Sequence, residues 1–134
     1  NIDEGLFSLI LSILPFFSVL LTAIADEQLN IFKIKKRISQ EKGITIKNHV
    51  INEGLWKVSR HPNYLGEITF TIGLWALIAL IDGFSIISVS GPLIIILMFV
   101  CASIPMMENR LLNSYKEEYQ SYCKITKCLI PYVI

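Results

Sequence analysis

The hydrophobic pattern is set by three long apolar runs, near residues 5–24, 64–81 and 84–104, separated by one long polar loop and one short turn. About 20 predominantly apolar residues cross the roughly 30 Å hydrocarbon core of a bilayer, so each run predicts a membrane-spanning helix. The first run is too long for a signal peptide, and Asp3 and Glu4 stand where such a peptide carries basic residues. Pro15 predicts a kink within it. From Ala25 to Lys33 the helix is expected to run on past the bilayer, with Leu29, Ile31 and Phe32 as apolar positions and the lysines snorkelling at the interface. Ser39 to Glu53 is polar, holds Gly43 and is followed by Gly54, so it reads as an irregular interfacial loop in which His49 is simply surface-exposed. Asp26 and Gln28, before that loop, read as a solvated helix end rather than as ligand groups.

The Asp82-Gly83 turn predicts that the second and third helices are antiparallel neighbours. Gly91-Pro92 predicts a kink or a tight approach within the third, which is expected to end near Pro105. Beyond it, Tyr115, Tyr119 and Tyr122 recur at spacings of four and three and fall on one face of an amphipathic helix. The expected fold is all-α: one integral membrane domain over residues 1–134, with three transmembrane helices, a polar interfacial loop and an amphipathic C-terminal tail.

Composition agrees, because 53% of the 134 residues are hydrophobic and only 17% are charged. A net charge of +1 gives no concentrated basic surface of the kind that nucleic-acid binding needs. The charges are unevenly placed: eight of the twelve basic residues lie between Ala25 and His61 and the other four follow Glu108. By the positive-inside rule the basic loop and the C-terminus are expected on the cytoplasmic or matrix side, and three spans put them on one side by parity. The three cysteines, Cys101, Cys123 and Cys128, lack the paired short spacings of a zinc site and read as free thiols, with Cys101 packed in a helix and no metal bound.

The densest chemistry is Ser59-Arg60-His61-Pro62-Asn63-Tyr64-Leu65-Gly66-Glu67, at the entry to the second span. Pro62 suits a first helical turn and disfavours a helical conformation at His61. Arg60 and His61 then lie beside the free N–H groups of a helix N-terminus, a place that attracts anions. Asn63, Tyr64 and Glu67 project to one side one turn further in. Glu67, at the start of an apolar run, is either a functional group or a carboxylate at headgroup depth paired with Arg60. Topology brings this cluster to the same membrane face as Glu108, Arg110, Tyr119 and Tyr122, and such a half-dry polar interface can bind a charged cofactor while a lipid substrate stays in the bilayer.

These residues, together with Gly54-Leu55-Trp56, Asp26, Gln28, Phe32-Lys33, Ile104-Pro105 and Ile130-Pro131, resemble the C-terminal half of the uncharacterised membrane proteins grouped with steroid 5α-reductases. The wider superfamily includes NADPH-dependent sterol reductases and S-adenosylmethionine-dependent isoprenylcysteine carboxyl and phospholipid methyltransferases. The proline after Arg60-His61 is similar to the methyltransferases; Asn63-Tyr64 and Gly66-Glu67 are similar to the reductases. The resemblance implies an NADPH-dependent reduction of a carbon–carbon double bond in a lipid or steroid-like substrate. Cofactor contacts are then expected from Arg60, His61, Asn63, Glu108, Arg110, Tyr119 and Tyr122, with Tyr64 or Glu67 as proton donor or polariser. Two alternatives stand beside it: a lipid or prenyl-cysteine methyltransferase using S-adenosylmethionine, and a non-catalytic accessory subunit that keeps the scaffold among other membrane subunits. The resemblance also implies further N-terminal helices, and a first residue of Asn rather than Met agrees with chain upstream.

Overall fold

A computed structural model describes residues 2–131, with side chains from residue 5 onward; Asn1 and the side chains of Asp3 and Glu4 lie outside the described residues. The order of elements is α1 (Ile2–Glu41), a 3-10 turn (Gly54–Lys57), α2 (Pro62–Asp82), α3 (Ser90–Met98), a π-helical turn (Phe99–Ser103), α4 (Ile104–Ser114) and α5 (Lys116–Ile125). α3, the π turn and α4 form one continuous rod over Ser90–Ser114, and this rod, α1 and α2 are each long and apolar enough to cross a membrane. Over the described residues the protein is an all-α membrane protein with three such helices.

Two boundaries differ from the sequence reading. α1 runs without interruption through Pro15 and the expected interfacial stretch to Glu41, because nothing between Ile24 and Glu41 is a glycine or proline. The connection between α2 and α3 is residues 83–89 rather than a two-residue turn. Gly83, at φ +85, ends α2 in a conformation that favours glycine, and Ser85, Ser88 and Ser90 then turn their hydroxyls onto nearby backbone groups. Gly91-Pro92 consequently opens α3 instead of kinking it, and nothing lies within 4 Å of where a Cβ on Gly91 would be. Cys101 is exposed on the π turn, not packed.

The contact between α1 and α2 fixes the site. A Cβ on Gly66 would overlap the Thr22 hydroxyl and lie 3.0 Å from the Ser18 carbonyl, and one on Gly73 would lie 3.1 Å from the Pro15 ring. Two glycines, two turns apart on α2, therefore let the backbones approach closely, as small residues do between membrane helices. Ser18 is fully buried in this seam, its hydroxyl donating 2.8 Å to the Leu14 carbonyl. The same seam continues past the bilayer, where Ala25, Leu29 and Phe32 meet the loop and the C-terminal helices.

Candidate functional site

At the polar end, α1, residues 49–61, α4 and α5 close around a cavity of about 340 Å³, at the lower end of the roughly 300–1,000 Å³ usual for ligand sites. One wall is the extension of α1, with Leu29, Phe32, Lys33 and Lys36; the opposite wall is Met107, Arg110, Leu111 and Ser114 of α4. His49, Val50, Ile51 and Trp56 come from the loop, Arg60, His61, Asn63 and Tyr64 from the entry to α2, and Tyr115, Tyr119 and Tyr122 from the tail. The lining carries four cationic side chains, Lys33, Lys36, Arg60 and Arg110, and not one Asp or Glu.

Arg60 locks two ends of the chain together. Its Nε and Nη2 each lie 2.9 Å from Oε1 of Glu108, its Nη1 donates 2.9 Å to the Thr126 carbonyl, and its backbone N–H donates 2.9 Å to Lys127. Ser59 beside it donates 2.7 Å to the Leu129 carbonyl, and Thr126 donates 3.1 Å to Lys57. Burial disfavours the Arg60 charge, but the attraction of Glu108 outweighs it and holds the pKa above its ordinary value. The guanidinium is thus a structural cation, with its donors largely turned to protein acceptors. The expected pairing of Arg60 with Glu67 does not form, because Glu108 occupies that position.

His61 is 3% exposed, and burial pushes its pKa down in spite of the neighbouring Glu108. A neutral imidazole beside a carboxylate held by Arg60 donates from Nε2, 3.2 Å from Glu108. Its ring stacks on Tyr64 with centroids 5.3 Å apart and planes 4° apart, and Tyr64 in turn meets Phe99 at 4.8 Å. The π turn that carries Phe99 thereby sets the inner edge of the site. His61, Glu108 and Cys128 place metal-ligand atoms within 4.8 Å of one another. The Glu108 oxygen at their centre already receives both donors of Arg60, which supply the positive charge a cation would bring.

Asn63 ties α2 to α1 by donating 3.1 Å to Asp26, and Gln28 accepts 2.9 Å from the Leu55 N–H, so both residues from the expected solvated helix end hold the fold. Tyr122 donates to the Trp56 carbonyl, and the Trp56 indole donates 3.0 Å to Ala25. Tyr119 is fully buried, and its hydroxyl has the weak Cys123 thiol beside it but no strong hydrogen-bond partner among the described residues. Burial raises the pKa of both phenols, so they remain protonated donors. A buried, unpaired hydroxyl at a cavity wall is expensive unless a ligand or water completes it.

The structure thus gathers Arg60, His61, Asn63, Tyr64, Arg110, Tyr119 and Tyr122 around the cavity, with Glu108 directly behind Arg60 and His61. Glu67 is exposed on α2 and does not line the cavity. The sequence reading missed His49, Lys33 and Lys36. His49 is not a free surface residue: its backbone N–H donates 2.7 Å to Glu118, its ring lies 3.2 Å from the other Glu118 oxygen, and it stacks on Tyr115 at 5.2 Å. Lys36 reaches over to donate 3.1 Å to the His49 carbonyl and 2.8 Å to the Tyr115 hydroxyl. The available signal was the adjacent apolar pair Val50-Ile51 in a mostly polar loop, both of which the fold buries at 5% exposed.

Comparison of the sequence with known families matches residues 5–126 to the family described as a protein of unknown function, DUF1295. The chain belongs to the DUF1295 family. The match spans all three membrane helices, the loop, α4 and α5 of this DUF1295 protein, and so includes nearly every residue that lines the cavity. No match is found among curated proteins or among solved structures.

Proposed function

We propose that this DUF1295 protein is a membrane-embedded reductase that uses NADPH to reduce a carbon–carbon double bond in a lipid or steroid-like substrate, in line with its resemblance to the steroid 5α-reductase superfamily. The observation that carries this reading is that three cations of the lining, Lys33, Lys36 and Arg110, have no carboxylate among the lining residues, the fourth, Arg60, being held by Glu108. NADPH brings several phosphate charges, which suit Lys33, Lys36 and Arg110. S-adenosylmethionine brings a sulfonium and an ammonium, which call for carboxylates that the lining lacks. NADPH supplies the hydride when bound. Tyr64, on the membrane side of the cavity, is the candidate to polarise or protonate the substrate, while Arg60 and Glu108 hold the entry to α2 in place. Asn63 and Tyr119 are the candidate hydrogen-bond partners for the neutral parts of the cofactor. The cavity faces the side of the membrane that holds the basic loop and tail, which the positive-inside rule makes cytoplasmic or matrix-like.

Trp56 lines the cavity and provides the readout. Titration of the purified chain in lipid nanodiscs with NADPH is expected to quench its fluorescence saturably, with S-adenosylmethionine ineffective; binding of S-adenosylmethionine alone overturns the reductase reading. If neither binds and the chain purifies in fixed ratio with other membrane subunits, the accessory role replaces it. Tyr119→Phe is expected to weaken NADPH binding about tenfold, the effect of one buried hydrogen bond. Because that hydroxyl meets only the weak Cys123 thiol within the protein, the same variant should unfold nearly like the parent.

A further inference from the structure

The loop that follows α1 is tied down at one point. Residues 44–53 lie between two glycines of positive φ, Gly43 at +65 and Gly54 at +57, and glycine can pivot through such angles at little steric cost. Among the described residues, no backbone–backbone hydrogen bond reaches residues 45–52. Four bonds from side chains do, and all of them end on His49 and Val50. Lys36 of α1 donates 3.1 Å to the His49 carbonyl; Glu118 of α5 accepts 2.7 Å from each of the His49 and Val50 N–H groups and meets the His49 ring at 3.2 Å. The same short piece of chain lines the cavity, through the His49 ring stacked on Tyr115 and through the buried Val50 and Ile51.

Two pivots, one latch and an apolar underside make a strap across the cavity, and a segment with so few backbone bonds opens locally at less cost than the whole fold. Lys36 is the part of the latch that can sense a ligand. Its ammonium has three N–H groups. One goes to the His49 carbonyl and one to the Tyr115 hydroxyl at 2.8 Å, with the Tyr115 ring centroid 4.3 Å away. The third is left for the cavity that Lys36 lines together with Lys33 and Arg110. With the cavity empty, two neutral acceptors hold a cation on a flexible four-carbon stem. An anion on the third N–H fixes that stem, and the bonds to His49 and Tyr115 are fixed with it.

We propose that residues 44–53 are a hinged strap that lifts to admit a ligand and that a phosphate-bearing anion latches shut through Lys36. The ligand arm rests on the reading of the cavity as a cofactor site; the latch is tested apart from it. Hydrogen exchange of the full chain in nanodiscs reads the latch at the His49 and Val50 amides. Lys36→Met is expected to speed exchange there about tenfold, the loss of one charged hydrogen bond, while Ser59 and Arg60, past the Gly54 pivot, keep their rates. Glu118→Gln, which keeps an acceptor but loses its charge, should speed the same two amides about threefold. Pyrophosphate, as the phosphate probe, should slow them at least about threefold in the parent and not in Lys36→Met. Unchanged exchange in Lys36→Met, a rise shared equally by Ser59 and Arg60, or equal slowing by pyrophosphate in both chains overturns the proposal. If pyrophosphate slows exchange while NADPH neither slows it nor quenches Trp56, the strap stands and the NADPH reading falls. If NADPH quenches Trp56 while neither NADPH nor pyrophosphate moves the His49 and Val50 amides, the reading stands and the strap is overturned.

Discussion

The two ends of the helical bundle are built on different principles. At the polar end, hydrogen bonds join residues far apart in sequence: Arg60 to Glu108 and Thr126, Tyr122 to Trp56, Lys36 to Tyr115, and Glu118 to His49 and Val50. At the opposite end, α3 buries no side chain, and the one hydrogen bond between separate elements there among the described residues runs from the Trp75 indole to Ser88 at 3.1 Å. Polar cross-links between distant segments organise the first region, whereas the second rests on helical backbone bonds, local serine hydroxyl bonds and apolar contacts. The frame around the candidate cavity is thus the most heavily cross-linked part of the fold, as a preorganised site requires.

The sharpest way to break this contrast is to remove Glu108. Glu108→Ala leaves the Arg60 guanidinium, whose side chain is 13% exposed, without its counter-charge, and should cost about 3 kcal/mol in chemical unfolding in detergent micelles. Replacing Arg60 by Met in the same chain should recover part of that loss, because no charge is then stranded. Next comes Tyr122→Phe, expected to cost about 2 kcal/mol in the same measurement by unpairing the buried Trp56 carbonyl. The third effect depends on pH. His61 has a folded pKa below its ordinary 6.5, so unfolding takes up a proton; the stability from burying it neutral is complete above pH 6.5 and is lost as the pH falls toward the folded value. Melts from pH 8 to 5 should show this decline, and His61→Gln should reduce it. The smallest effect is expected at the far end, where Ser88→Ala should change stability by less than about 0.5 kcal/mol. A loss there as large as that for Glu108→Ala would erase the distinction between the ends.

The same distinction explains what could be read from the sequence. Spans are legible because apolar runs are local and lipid asks only for length, so all three helices were found. The start of α3 was misjudged, at residue 84 rather than Ser90, because Phe84, Ile86 and Ile87 are apolar enough to extend a run, although they lie in the connection that Gly83 and the serine hydroxyls shape. At the site, the approach of Arg60 and His61 to Glu108 followed from topology alone. Which carboxylate Arg60 takes did not, because Glu67 and Glu108 are equally acidic in sequence and only the fold turns Glu67 outward. His49 was missed for a related reason: its place depends on Glu118, 69 residues away, a pairing that no local pattern contains.

One consequence follows from α1 being a single rod. The helix packs on α2 at Ser18 and Thr22 and forms a cavity wall at Phe32 and Lys36. Between Ser18 and Lys36 the helix spans roughly 27 Å. A change of about 5° in the angle at which α1 crosses α2 would therefore displace that wall by roughly 2 Å. Tilt is also how a membrane helix answers a thicker or thinner bilayer. On that geometry the width of the candidate cavity would follow the thickness of the lipid around it, and any ligand affinity is expected to change with the acyl-chain length of the nanodisc.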